Sequence, residues 1–347
     1  MDLNDWAAKA ARLLESGLSG VSRMGILFPP TPDGIASSVI MSEILSQKGI
    51  ESELIVSTPE TIMESIEICA GKCDAITMLD LPPHGKGPLQ VSGELFRSII
   101  VVDHGSAPLL SYRNVIRINL DEGGIATSLL MYLIALKLSE DNDILSWVAA
   151  SGFYGICSAE SCSAVIERAK LSWPDLMEEN SLETIQRSLV AASYMGDEWI
   201  YLAASALQES FDDPGWFLRG NSATASLLRA KVDEVRREIK DVLEDPFLMR
   251  GNFGAWESPE AYQRFVLSLI AREEVAYHAL SFFYDPPLGF IYVVGDPKVD
   301  LYEKISKYLR GIEGSLFGGR GFASLIVDSE ALGDLLYSLE GELGSGP

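Results

Sequence analysis

The sequence predicts an α/β protein in three parts. These are a parallel-sheet domain over residues 1–165, a helical region with a linker helix over 166–280, and a smaller α/β domain over 281–343. Three observations predict it. Short runs rich in Ile and Val alternate with helical segments through the first 120 residues. From Gly124 the pattern turns mostly helical, and strand-like runs return after residue 288. Alternation of this kind is βαβ grammar, which builds a parallel sheet covered on both faces.

In chain order, "MDLNDWAAKAARLLESG" reads as an amphipathic helix with its acids early. It lacks the basic start and apolar centre of a signal peptide. "RMGILF" (23–28), "SELIVS" (52–57), "DAITML" (74–79), "SIIVVD" (98–103) and "VIRINL" (115–120) are short apolar runs that suit strands buried on both faces. Helical patterns lie between the first three, from about Asp33 to Lys48 and from about Pro59 to Ala70. "DILSWVAASGFYGIC" is apolar nearly all round, as a buried helix is. "LLRAKVDEVRREIKDVL" carries Leu228, Val232, Val235, Ile239 and Val242 on one seam, which suits packing within the protein or a linker helix. "LGFIYVVGD" and "ASLIVD" read as late strands, with the Gly-rich "GSLFGGRGFAS" before and within the second; the domain boundary falls near 245–285.

The chain has 347 residues, 47% apolar and 22% charged, which is the composition of a folded protein with a sizeable core. Its formal net charge of -23 repels nucleic acid and anionic membrane at long range. Any phosphate-bearing ligand then needs a local basic patch. No apolar run reaches the ~18 residues of a membrane span, so the expectation is a soluble, intracellular, cytoplasmic protein without membrane partners. The cysteines fall as Cys69-x3-Cys73 and Cys157-x4-Cys162. Zinc allows that spacing, but the helical and apolar surroundings favour buried free thiols.

The chemistry-bearing residues stand at strand ends. Asp33 follows the first apolar run, Asp80 the third, and Asp103 with His104 the fourth. In a parallel sheet these ends share one edge, where α/β proteins bind their ligands. Carboxylates with a histidine are ligands for Mn²⁺, Mg²⁺ or Zn²⁺. Plainer readings stay open: Asp33 as the cap of its own helix, Asp103 as an orienting group, and His104 as a core histidine. His84 and His278 join no constellation.

The order "TPDGIASS … LD … VVDHGS … NLDEGGIATSLLMYLI … GGRGFAS" resembles the DHH phosphoesterase superfamily, in its RecJ-like branch with a C-terminal DHHA1 domain. It spans nearly the whole chain. The resemblance implies two Mn²⁺ ions at the strand ends and hydrolysis of phosphodiesters, commonly of single-stranded DNA or RNA. It also implies a set of departures. The first family motif, a histidine followed by Asp-x-Asp, falls on Leu27, Thr31 and Asp33, and the helix start "GIASS" is retained. The second motif's Asp matches Asp80. Asp-His-His falls on Asp103, His104 and Gly105, so its last histidine is lost. The fourth motif's Asp falls on Tyr154 or Gly155. The nucleic-acid-contacting Gly-Gly-Gly-His resembles Phe317, Gly318, Gly319 and Arg320, followed by Gly321.

By this resemblance one metal keeps only the shared Asp80, while the other keeps Asp33, Asp80 and His104. What is implied is a vestigial centre of Asp33, Asp80, Asp103 and His104. No cofactor is required, and a weak Mn²⁺ or Mg²⁺ site remains on Asp33, Asp80 and His104. Gly318, Gly319, Arg320 and Gly321 would contact phosphate or nucleic acid, although Arg320 reads equally as a surface arginine. Such a protein resembles archaeal RecJ-like partners of GINS and the eukaryotic replication-fork factor that joins GINS and the MCM helicase. The expectation is therefore a replication or repair scaffold with weak single-stranded DNA or RNA binding. Two other classes compete with it: a Mn²⁺-dependent phosphoesterase or single-strand exonuclease with a reduced metal site, and a nucleotide or phosphate sensor built on the Arg320 loop.

Overall fold

Five apolar runs become the five strands of one parallel sheet. In this computed structural model they are β1 (Arg23–Phe28), β2 (Glu51–Val56), β3 (Ala75–Leu79), β4 (Ser98–Asp103) and β5 (Val115–Asn119), in the order β2-β1-β3-β4-β5. The structure describes residues 2–81, 87–104, 114–120, 125–154, 160–178, 180–244, 248–250, 253–257, 280–285, 290–295, 301–308, 314–318, 322–327 and 337–338. β3 and β4 are buried at every position, which is why they read as unbroken apolar runs rather than alternating ones.

Helices α1 (Leu3–Leu18), α2 (Pro32–Gln47), α3 (Ile62–Ala70) and α4 (Gly87–Leu95) surround the sheet with α5 (Thr127–Leu138). The strand order reverses at β1: β2 lies on one side of it and β3 on the other. That is a topological switch point, where a crevice opens at the carboxyl ends of the strands.

α2 is buried on nearly all sides. It packs on β1, α5, α9 (Asp197–Glu209) and α6 (Ser146–Phe153). Such crowding needs small residues. A Cβ on Gly152 of α6 would sit 2.6 Å from the Ala36 Cβ of α2. The buried hydroxyls of Ser37 and Ser38 donate to the carbonyls of Gly34 and Ile35 at 3.0 and 2.8 Å, so their burial leaves no orphan donor. On the opposite face of the sheet, Leu27, Ile55, Ile76 and Met78 form one apolar cluster with Ile62 and Ile66 of α3 and Leu89 of α4.

Helices α7 (Glu160–Ser172), α8 (Ser181–Met195) and α10 (Pro214–Arg219) complete the first unit, which ends within α11 (Ala223–Glu244). The seam residues Leu228, Val235 and Ile239 of α11 are buried. The chain divides into two units, Met1–Val235 and Arg236–Pro347, where the sequence suggests three segments. The second unit holds a six-stranded sheet in the order β10-β11-β9-β8-β7-β6. Its strands are β6 (Leu248–Arg250), β7 (Phe253–Glu257), β8 (Leu280–Asp285), β9 (Phe290–Gly295), β10 (Gly314–Gly318) and β11 (Phe322–Val327). β7 and β8 pair parallel and the other neighbours antiparallel. Leu301 and Ile305 of α12 (Leu301–Tyr308) are buried one turn apart.

Three expectations change. The stretch 166–280 is not helical throughout, because β6 and β7 fall inside it. Their runs are short and glycine-broken, which hides them. The Gly-rich stretch before residue 324 contains β10, paired antiparallel with β11. Cys69 and Cys73 are free and buried as read, but Cys162 is disulfide-bonded rather than a free thiol. Cys157 lies outside the described residues, as do most of the last helical pattern and His84 and His278. No helix among the described residues is long and apolar enough to cross a membrane.

Candidate functional site

The site begins where β1 gives way to α2. Thr31 is the N-cap of α2, its Oγ1 accepting the Gly34 N–H at 2.8 Å, with Pro32 at the first helical position. Gly34 admits no side chain, since a Cβ there would lie 2.2 Å from the Pro29 carbonyl oxygen. Thr31 thus closes its own helix, and Asp33 in the first turn is free for another.

That other helix is α5. Its N-cap residue, Ala126, offers no capping side chain. Asp33 supplies the acceptors instead: Oδ2 takes the Thr127 N–H and Oδ1 the Ser128 N–H, each at 2.8 Å. A carboxylate at a helix N-terminus satisfies orphan donors and meets the positive end of the dipole. Asp33 therefore caps a helix, but not its own. Burial, then the Asp80 charge, push its carboxyl up to about 6, against the Ser128 hydrogen bonds and His104.

Asp80 follows β3 with φ +51°, in the left-handed region. Its N–H donates to the Val102 carbonyl at 2.9 Å. A non-glycine residue held there is strained, and such strain concentrates at functional sites. Asp80 Oδ1 lies 3.2 Å from His104 Nε2, and both side chains are half-buried. Burial would lower the His104 pKa. The Asp80 charge and hydrogen bond, with Asp33 and Asp103 behind them, outweigh that and raise it to about 9. The pairing with Asp80 thus favours the imidazolium form of His104.

Asp33, Asp80 and His104 each place one ligand atom so that all lie within 4.8 Å of one another. Asp103 turns elsewhere. Its carboxylate takes Arg117 Nε at 3.1 Å and Nη2 at 2.7 Å, and Asn119 Nδ2 at 2.7 Å. It is buried and neutralised by a two-pronged ion pair. Arg117 and Asn119 are site residues that the sequence reading misses, although an arginine inside the apolar run "VIRIN" is a usable signal.

The donor set fits one cation. Two carboxylates and an imidazole suit Mn²⁺ or Mg²⁺, and binding would require His104 to lose its proton. When bound, such an ion would supply Lewis acidity. The donors for a second ion are missing among the described residues. Leu27 is fully buried in the apolar cluster under α3 and α4, and Thr31 is spent on capping. Tyr154, at the fourth-motif position, follows α6. Gly105, Gly155, Gly319, Arg320 and Gly321 lie outside the described residues, while Gly318 ends β10.

No protein-family model matches the sequence, and no curated protein sequence does. Solved structures do match. RecJ from Thermus thermophilus in complex with Mn²⁺ is 16% identical with a TM-score of 0.68, over 99% of this chain and 55% of that one. The DHH domain of a protein grouped with ribosomal proteins is 14% identical with a TM-score of 0.65, over 99% and 91%. CDC45 from Entamoeba histolytica is 12% identical with a TM-score of 0.51, over 97% and 99%. This chain spans about half the length of the Thermus RecJ chain. At such identities the likeness is one of fold.

Proposed function

We propose that this chain, which carries the DHH-superfamily fold in its RecJ-like form, is a catalytically degenerate member of that group. Its role in this reading is that of a DNA replication or repair scaffold associated with GINS and the MCM helicase, with weak single-stranded nucleic-acid binding. One observation carries the loss of catalysis. Two of the positions that match ligands in the family pattern, Leu27 and Thr31, have become a core residue and a helix cap. A third, Asp33, holds the N-terminus of α5. These residues now serve stability, and a two-metal clamp on the attacking and leaving oxygens has no second set of donors among the described residues.

The scaffold role rests on the acidic body, on the sequence resemblance, and on a fold shared with CDC45 as well as with RecJ. Co-purification of the full chain with GINS subunits tests it. Retention of GINS supports the role, and a pull-down that returns no replication protein removes it.

A second reading has its own observation. Asp33, Asp80 and His104 still converge within 4.8 Å, so a one-metal phosphodiesterase is the alternative. In that reading Asp33, Asp80 and His104 hold Mn²⁺ or Mg²⁺, and the Arg117 pairing with Asp103 keeps the end of β4 in place beside them. Turnover of single-stranded substrates that needs both Mn²⁺ and Asp80 separates this reading from the first.

A further inference from the structure

Two buried thiols take no part in the carboxylate–histidine group. Cys69 is the penultimate residue of α3, and Cys73 stands in the turn that leads into β3. Both are free. Cys69 is fully buried, whereas Cys73 keeps 8% of its surface exposed.

The backbone already holds them together. The Cys73 N–H donates to the Cys69 carbonyl at 2.9 Å. That bond closes a single turn of chain between the residues, which keeps their Cα atoms within the separation that disulfides span. The two thiols lie close enough for each to shift the other's pKa. Gly25 of β1 seats the inner one: a Cβ there would lie 2.4 Å from Cys69 Sγ. No third metal-ligating side chain joins the two thiols among the described residues. Among the described residues the pair is therefore a dithiol on its own.

We propose that Cys69 and Cys73 are a redox modification site, converted to an intramolecular disulfide by a low-molecular-weight disulfide such as oxidised glutathione. Exposure sets the order of events. Cys73 gives its proton to solvent, and its thiolate attacks one glutathione sulfur. The glutathione S–S bond breaks, and the departing thiolate takes up a proton. Cys69 then loses its proton and attacks the Cys73 sulfur, expelling the second glutathione thiolate, which is protonated in turn. One S–S bond is lost and one formed. Two electrons and two protons pass from the protein thiols to glutathione. Burial foremost pushes both thiols up, Cys69 to about 12. Glu53 pushes the same way, while Lys72, together with Arg23 at Cys73, opposes. The exchange is accordingly slow and belongs to oxidising conditions.

The test incubates the full native chain with excess oxidised glutathione, alkylates it in denaturant without reduction, and maps its peptides. Wild type should lose both free thiols and yield a peptide with Cys69 joined to Cys73. Dithiothreitol should reverse this, and the bridged form should melt a few degrees higher. Cys73→Ser should leave Cys69 unbridged. Two thiols still free after incubation would overturn the proposal, as would separate glutathione adducts on each, or links to a second molecule. Wild-type mapping decides the matter even where the variant fails to fold.

Discussion

The Asp33 carboxylate accepts the backbone N–H of Ser128 at 2.8 Å, and that of Thr127 beside it at the same distance. A side chain of the Asp33–Asp80–His104 cluster is thereby the N-terminal cap of a helix 94 residues further on. Asp33→Ala should destabilise the metal-free protein by about 1–3 kcal/mol, because two buried donors lose their acceptor. Urea unfolding in the presence of a chelator measures this. An unchanged midpoint would mean that the cap contributes nothing.

Leu27 occupies the place where the family pattern has a histidine, and it is fully buried among Ile55, Met78 and Leu81. Leu27→His should cost on the order of 2–4 kcal/mol, because the imidazole loses water and finds no partner in that cluster. It should not restore tight binding of a second Mn²⁺ ion. Calorimetry showing two strong Mn²⁺ sites in this variant would contradict the account.

Asp80 sits at φ +51° without being a glycine. Asp80→Gly should relieve that strain, so it should be more stable than Asp80→Ala by about 1 kcal/mol. Comparing the two variants, rather than either with wild type, removes the effect of the lost carboxylate. Equal stabilities would show that the backbone there is relaxed.

Acid should weaken one interaction away from the site. Burial raises the Asp143 pKa, but hydrogen bonds from Arg168 and from Tyr132, at 2.5 and 2.7 Å, outweigh it and hold it below the usual range. A depressed carboxyl contributes stability above its unfolded value, about 3.9. That stability disappears as pH falls through the lower folded value. Wild type should therefore lose its advantage over Asp143→Asn progressively as pH drops below about 4. A pH-independent gap in melting temperature would contradict this.

Much of the first sheet is readable because strands buried on both faces are written as plain apolar runs. β1 and β4 coincide with "RMGILF" and "SIIVVD". α4 escapes a sequence reading because "GPLQVSGEL" carries a proline and two glycines, which local propensity counts against a helix. β10 is hidden by the glycines around it, since its pairing with β11 is a tertiary fact. Asp33, Asp80 and His104 can be picked out because each follows an apolar run. Their partners cannot. The N–H groups of Thr127 and Ser128 have no side-chain signature, and the Asp103–Arg117 pairing depends on the β4–β5 register. The carboxylates are visible in the sequence, and what each of them holds becomes visible only in the fold.

The central proposal is that this fold holds one carboxylate–histidine cluster and does not carry out hydrolysis. The most direct measurement is hydrolysis of labelled single-stranded DNA and RNA by purified full chain with Mn²⁺, beside Asp80→Ala prepared identically. The account predicts no turnover above that variant. Mn²⁺-dependent turnover in wild type that disappears in Asp80→Ala would contradict it.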